Sequence, residues 1–251
     1  MKPKEMWDRL LFLISVPKCV YCKAPLDFED KALCKACFIA YTEEKNRECS
    51  RCHKLLIECT CSNSYLERKG IKHISKCFRY MTKKEDSRAN SLIYSLKQDY
   101  RRDTIELLAN EMTDAAQNSK HLLKNPRETV ITFIPRRKRS YNKYGYDHAE
   151  VLGREVAKRL SLEFVAPLKS LSRRAQKETS GDERMENAKF TTKRSFKSRL
   201  DGKTVILIDD IVTTGASFAA AAGVLKRLGA KRVFGLVSAI AYKDSPDPPL
   251  N

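Results

Sequence analysis

The chain has 251 residues, of which 42% are hydrophobic, enough for one α/β domain with a core of its own and a small appendage. No apolar run approaches the ~20 residues of a membrane-spanning helix, so insertion into a bilayer is not expected. A net charge of +18 exceeds what solubility needs and favours polyanionic partners, meaning nucleic acid, anionic lipid or phosphorylated small molecules.

The segment Trp7 to Val16 is apolar but short. A Cys-x-x-Cys follows it at once with no small-residue cleavage site, so no secretory leader is expected and the cytoplasm is the expected compartment. Eight of the nine cysteines lie before residue 62, as the pairs Cys19/Cys22, Cys34/Cys37, Cys49/Cys52 and Cys59/Cys61. In a reducing compartment a two-residue gap favours chelation over bridging. Thiolates on such a knuckle point at one ion, and two knuckles close a tetrahedral zinc site. A closed site with four sulfurs has no open position, so one or two structural zinc ions are expected. The tighter Cys59-x-Cys61 leaves His53 as a substitute ligand for the second quartet. Sequential pairing would give a double zinc ribbon and interleaved pairing a cross-braced one; spacing does not choose.

After Ser62 a linker-like stretch leads to a strand near Ser75 to Tyr80, with Cys77 as a buried thiol. Helical spacing runs from about Asp86 to Asn118, with Asp103 as a cap between two helices. Val130 to Ile134 reads as a strand, closed by Pro135 and the basic run Arg136-Arg137-Lys138-Arg139. Asp147 to Leu160 reads as an amphipathic helix, with His148 capping or packing at its start, and Phe164 to Leu168 as a short strand. A basic Ser/Gly-containing loop then leads to the strand Val205 to Ile208, the helix 217–228 that Gly229 ends, and the strand Lys231 to Ala239. Alternating strands and helices predict a parallel sheet with flanking helices.

Residues 205–217 carry the most chemistry. Four apolar β-formers precede the adjacent carboxylates Asp209 and Asp210, and the turn Thr213-Thr214-Gly215-Ala216-Ser217 then opens a helix. In an open α/β sheet, ligands sit beyond the carboxyl ends of strands, and a helix N-terminus with free amides attracts anions. The stretch thus offers acceptors for sugar hydroxyls or a hydrated metal, with a phosphate cradle one turn away. A ligand with a second phosphate group needs a second anion site. The turn Ile134-Pro135-Arg136-Arg137 supplies exposed amides and arginines for it.

All thirteen positions fit the signature of the type I phosphoribosyltransferases, which the chain resembles here. The resemblance implies a Rossmann-like parallel sheet and binding of 5-phosphoribosyl 1-pyrophosphate (PRPP) with Mg²⁺. By it, Asp209 and Asp210 are the catalytic pair facing the ribose hydroxyls, and Thr213, Thr214, Gly215, Ala216 and Ser217 hold the 5-phosphate. Pro135, Arg136 and Arg137 would take the pyrophosphate, and Arg173 and Arg184 would close over the ligand. The order of a cysteine-rich head, a helix ending in Leu96-Lys97, the segment Tyr144-Gly145-Tyr146-Asp147-His148, and a loop with Arg173, Gln176, Ser180, Arg184 and Asn187 is similar to that of the ComF-type competence proteins. Tyr144 and Thr179 depart from that family's usual arginine and leucine.

The organisation implied is a zinc ribbon over residues 1–66, a phosphoribosyltransferase domain over 67–242 and a mobile tail over 243–251. The function implied is PRPP binding with phosphoribosyl transfer to an unnamed acceptor, in cytoplasmic handling of DNA during natural transformation. The alternative is a non-catalytic module that binds single-stranded DNA or a DNA-translocating competence partner, with PRPP as regulator. Tyr141, Tyr144 and Tyr146, set among basic residues, could then stack bases.

Overall fold

The computed structural model describes residues 16–80, 87–136, 145–171 and 190–241. Its helices are α1 (Lys35–Lys45), α2 (Ser64–Arg68), α3 (Arg88–Gln98), α4 (Arg102–Gln117), α5 (His148–Leu160), α6 (Lys197–Leu200) and α7 (Ala216–Arg227). Its strands are β1 (Ile74–Tyr80), β2 (Thr129–Phe133), β3 (Glu163–Phe164), β4 (Leu168–Ser170), β5 (Phe190–Thr192), β6 (Thr204–Val212) and β7 (Arg232–Ala241). Five strands form one parallel sheet in the order β1-β7-β6-β2-β3, and β4 and β5 form a separate antiparallel pair. Among the described residues no helix is long and apolar enough to cross a membrane.

The parallel sheet is covered on both faces, as crossover connections require. Along β6, Ile206 and Ile208 enter one core and Val205 and Leu207 the other, because successive side chains point to opposite faces. The first core is closed by α3, α4 and α5 through Leu92, Leu96, Leu108, Met112, Leu152 and Val156. The second is closed by α7 through Phe218, Ala221 and Leu225. Gly235 in β7 lets α7 and β1 come this close: a Cβ there would stand 2.8 Å from both Phe218 and Ile74.

Several elements differ from the sequence expectation. Strand β6 runs through Asp209 and Asp210 to Val212, because its pairing with β7 continues at Asp209, Ile211 and Val212. The linker expected after Ser62 holds α2, which Asn63 caps by accepting the amide of Leu66 at 2.9 Å. Asp103 is not the cap of α4: Arg101 holds that position, and Asp103 lies in the first turn, paired with Arg101 and accepting the amide of Ala32. The expected strand from Phe164 to Leu168 is split into β3 and β4, which belong to different sheets.

The cysteine-rich segment is not held at a distance. Cys19, Val20, Leu33, Cys37 and Tyr41 belong to the same buried cluster as Phe78, Leu92 and Met112. Arg101 donates to the carbonyl of Lys18 at 2.6 Å, and Lys45 of α1 pairs with the buried Glu111 of α4 at 2.7 Å. The Glu44 carboxylate of α1 accepts from Ser87 Oγ and from the amides of Arg88 and Ala89, which places an anion on the N-terminus of α3.

A Gly235→Ala variant should lose about 1–3 kcal/mol of stability in chemical denaturation, since the added methyl must displace Phe218 or Ile74 in a packed core. Unchanged stability would show that the α7–β1 contact through β7 is loose.

Candidate active site and cysteine clusters

The chain leaves β2, passes through α5 to the edge strand β3, and returns to place β6 on the other side of β2. The strand order therefore reverses between β2 and β6, and ligands of open α/β sheets bind in the crevice at such a point. Both expected anion sites flank it. Ile134, Pro135 and Arg136 follow β2, and Asp209 to Ser217 occupy the end of β6 and the start of α7.

Asp209 and Asp210 are not the solvent-facing acids that the end of a short strand suggests. Asp210 is buried, and its Oδ2 lies 3.0 Å from the Arg136 guanidinium and 3.4 Å from Lys97 Nζ. Its Oδ1 accepts the amide of Ile211 at 2.7 Å. Burial works against its ionised form, but Lys97 and Arg136 outweigh that and hold it down to about 2. Asp209 is half-buried and has no such cations to itself. Burial and the neighbouring Asp210 charge push it well above the usual carboxylate range. Two adjacent acids thus hold opposite tendencies toward the proton.

Downstream, Gly215 takes φ +84° at the N-cap of α7, where no side chain caps the helix. Thr214 Oγ1 accepts from Ala216 N at 3.4 Å, Thr213 is exposed, and Thr214 and Ser217 are half-buried at the rim. The helix dipole and amides of the first turn therefore face the crevice.

Across from them, Asp147 organises the turn after β2. Its Oδ1 caps α5 through the amides of Ala149 and Glu150, and its Oδ2 accepts the amide of Arg136 at 2.6 Å. Burial raises its carboxyl against these bonds. His148 is buried with its ring edge-on to Tyr146 at 4.6 Å. Burial and then the Arg136 charge bring it to about 4, so it is neutral at physiological pH. Tyr146 is a loop anchor, donating its hydroxyl to the carbonyl of Leu96 at 2.9 Å, and is not free to stack a base. Arg137, Arg173 and Arg184, with Lys138, Arg139, Tyr141, Tyr144 and the tail 243–251, lie outside the described residues.

The cysteines pair sequentially. In each of the groups Cys19, Cys22, Cys34, Cys37 and Cys49, Cys52, Cys59, Cys61 the four sulfurs lie within 4.8 Å of one another. Zinc–sulfur bonds of about 2.3 Å in a tetrahedron need sulfurs under 4 Å apart, and Cys22 and Cys34 stand at 3.7 Å. His53 is not in the second group. It is exposed, with φ +56°, in the left-handed position that Lys23 (φ +64°) fills after Cys22. The two knuckles share a hydrogen-bond pattern, Lys23 N to Cys19 O and His53 N to Cys49 O. The residues of both groups fit zinc. Burial would raise the Cys19 thiol, but the amides of Cys34, Cys22 and Tyr21 bring it down to about 7. A bond from Cys61, against burial, and the charge of Lys76 bring Cys59 to about 4. Thiolate character is what a metal requires.

Three contacts escape a reading of the sequence. Lys97 ends the helix noted above, but nothing there points it at Asp210. Asp147 begins the expected helix, with the capping signature of Glu150 three residues on, but its bond to the Arg136 amide is not legible. Lys76 sits inside an apolar strand yet is fully buried beneath the second cysteine group.

Asp210→Asn should cost about 1–2 kcal/mol at pH 7, because it removes the charge that two partly buried cations face. Asp210 has a depressed folded pKa, so its contribution is complete above the unfolded value near 3.9 and is lost as pH falls through about 2. Urea unfolding of both proteins should show the gap at pH 7 and a smaller one at pH 3. Equal gaps at the two pH values would remove the charge from the explanation.

No protein of curated function matches the sequence. A family model described as the phosphoribosyl transferase domain matches residues 147–250 and so spans α5, β6, the turn and β7. Solved structures of similar shape include a hypothetical protein from Neisseria gonorrhoeae with bound ppGpp, at 11% identity over 61% of this chain and 78% of that one, with a TM-score of 0.38. Adenine phosphoribosyl transferase from Trypanosoma brucei is 15% identical over 65% and 74%, with a TM-score of 0.37. A hypoxanthine phosphoribosyltransferase from Staphylococcus aureus is 10% identical over 56% and 76%, also at 0.37. With the parallel sheet, its flanking helices and the matched domain, the chain has the type I phosphoribosyltransferase fold, preceded by a cysteine-rich region that can hold zinc.

Proposed function

We propose that this protein binds PRPP in the crevice between β2 and β6 and transfers its phosphoribosyl group to an acceptor nucleophile. The observation that carries this reading is the adjacency of Asp209–Asp210 and the uncapped turn Thr213–Ser217 at the point where the strand order reverses. The turn and the first amides of α7 would hold the 5-phosphate, and the two carboxylates would orient the ribose hydroxyls. Arg136 would leave Asp210 for the pyrophosphate, which it can grip with two parallel bonds. That exchange of partners frees Asp210 as the ligand arrives.

Asp209 and Asp210 offer hard oxygen donors that suit Mg²⁺, which when bound would offset the charge gathering on the departing pyrophosphate. In the reaction the bond from C1 to pyrophosphate oxygen breaks, pyrophosphate keeping the electron pair, and the acceptor forms the new bond at C1. The chain's part is positioning and charge stabilisation, with Arg173 and Arg184 closing the site against water. The zinc clusters would be structural, one to each pair of knuckles.

Titration calorimetry of the full chain with PRPP and Mg²⁺ tests the reading. Binding should tighten as pH rises, because the ligand needs Asp209 ionised and burial and the Asp210 charge raise its carboxyl in the free protein. Asp209→Asn should weaken binding and flatten that dependence. Absence of any PRPP binding would overturn the reading; with binding present, pyrophosphate release against a set of nucleobases decides turnover.

A role in DNA handling of the ComF kind, in the cytoplasm during natural transformation, is the second reading. It is favoured by the net charge of +18 and by Tyr94 and Tyr100, which are 49% and 62% exposed on either side of Lys97. Cations beside exposed rings suit single-stranded nucleic acid. A DNA-translocating partner would supply the strand. Affinity for single-stranded DNA should then fall with salt at about 0.7 logarithmic units per neutralised phosphate. Changing Lys138 and Arg139 to Ala should flatten that slope by about one to two units. Undetectable binding at low salt would dismiss this role and leave the small-molecule reading untouched.

A further inference from the structure

The segment that leaves the second cysteine group runs directly onto the candidate phosphate turn. Ser62, next to Cys61, is fully buried and donates to the carbonyl of Ile71 at 2.8 Å. Asn63 caps α2 with its oxygen, while its amide nitrogen donates to the carbonyls of both Thr213 and Thr214 at 3.3 Å. Leu66 of α2 is fully buried beneath Gly215, where a Cβ would stand 2.5 Å from the leucine's Cγ. The contact with α2 therefore leaves no room for a side chain at Gly215. The shape of the turn is read off a helix that belongs to the cysteine-rich region.

The other side of α2 is tied to the cysteines. Arg51, between Cys49 and Cys52, donates to the carbonyl of Ser62 at 2.6 Å and reaches both oxygens of Glu67 at 2.9 and 3.3 Å. From the sheet, Lys76 sends its ammonium to the carbonyls of Cys59, Cys61 and Ile74 at 3.1, 2.8 and 3.2 Å. Among the described residues it has no carboxylate partner at ion-pair distance. A fully buried ammonium is costly without a countercharge. Four thiolates around a divalent ion carry a net charge of −2, so a metal-loaded cluster supplies what Lys76 lacks.

We propose that the metal-loaded second cysteine cluster is the positioning device of the phosphate turn, acting through Arg51, Glu67 and Asn63 to hold α2 against Thr213–Gly215. Its effect on affinity rests on the PRPP reading above; its effect on the turn does not. Arg51, Asn63 and Leu66 are positioning residues, and the cluster influences a site to which it donates no ligand. The first cluster, packed under α1 and α3 against the opposite face of the sheet, has no part in this contact.

The test uses the full zinc-containing chain and two readouts, amide hydrogen exchange where α7 closes on the turn (Ala219 N donates to the Gly215 carbonyl at 2.8 Å) and PRPP affinity with Mg²⁺. Asn63→Ser keeps a capping oxygen and loses the amide, and Arg51→Met keeps the stem and loses the charge. Each should speed exchange at the turn about tenfold and weaken PRPP about as much, leaving zinc content and exchange of β1 unchanged. Stripping the metal with a chelator should do at least as much at the turn, and Cys22→Ser should lose one zinc with no change there. Unchanged exchange at Ala219, where α7 closes on the turn, in both Asn63→Ser and Arg51→Met overturns the proposal. Faster exchange at the turn in a protein that binds no PRPP upholds it and discards the ligand reading alone.

Discussion

The Asp210 carboxylate lies between two cations that arrive from different parts of the fold. Arg136 comes from the turn after β2 and Lys97 from the end of α3, while the acid itself lies within β6, the central strand of the sheet. A buried charge is tolerated only when paired, so this one contact fixes how three elements meet at the crevice. It also means that the acid that would face a sugar and the arginine that would face a phosphate offset each other's charge, while Lys97 adds a second cation. A ligand carrying both kinds of group can satisfy both residues at once. A ligand carrying only one would leave the other charge exposed to the interior.

The two cysteine groups stand in a similar relation to the two faces of the sheet. The first joins the core of α3 and α4 and thereby steadies the helix that delivers Lys97. The second forms a small cluster of Cys49, Leu56 and Cys59, and reaches the opposite core by way of Leu66. Neither is an appendage in the energetic sense, since each contributes apolar surface to a layer it does not itself complete. Metal binding is then coupled to the packing of the whole domain as well as to the folding of its own loops.

Much of this was legible in the chain. The run from Val205 to Ser217 is locally over-determined: β-branched residues, paired acids, small residues and glycine all favour one strand–turn–helix, and the structure has it. The four cysteine pairs were equally plain as candidate ligands, and distance resolved the grouping that spacing left open. What the sequence did not display were long-range partnerships. Nothing local says that Lys97 will meet Asp210, that Lys76 will be buried, or that Asn63 will bond to Thr213, because each contact joins residues brought together by sheet order. Asp209 and Asp210 lie inside the strand for the same reason: β7 continues alongside β6 past both acids and carries the strand further than its apolar run suggests.

The register of β1 has a consequence for how the molecule is made. β1 is an edge strand whose neighbour is β7, so Ser75 pairs beside Leu236 and Phe78 beside Ala239. During synthesis the first strand of the sheet to emerge must wait for the last. Each cysteine group, by contrast, draws its four ligands from fewer than twenty consecutive residues and can close around a metal while the rest is still being translated. Pairings of such sequence separation are slow to form and leave strand edges uncovered meanwhile. Lys76 and Cys77 therefore sit on a strand whose apolar flank is exposed for about two-thirds of translation, beside loops already able to take up a metal.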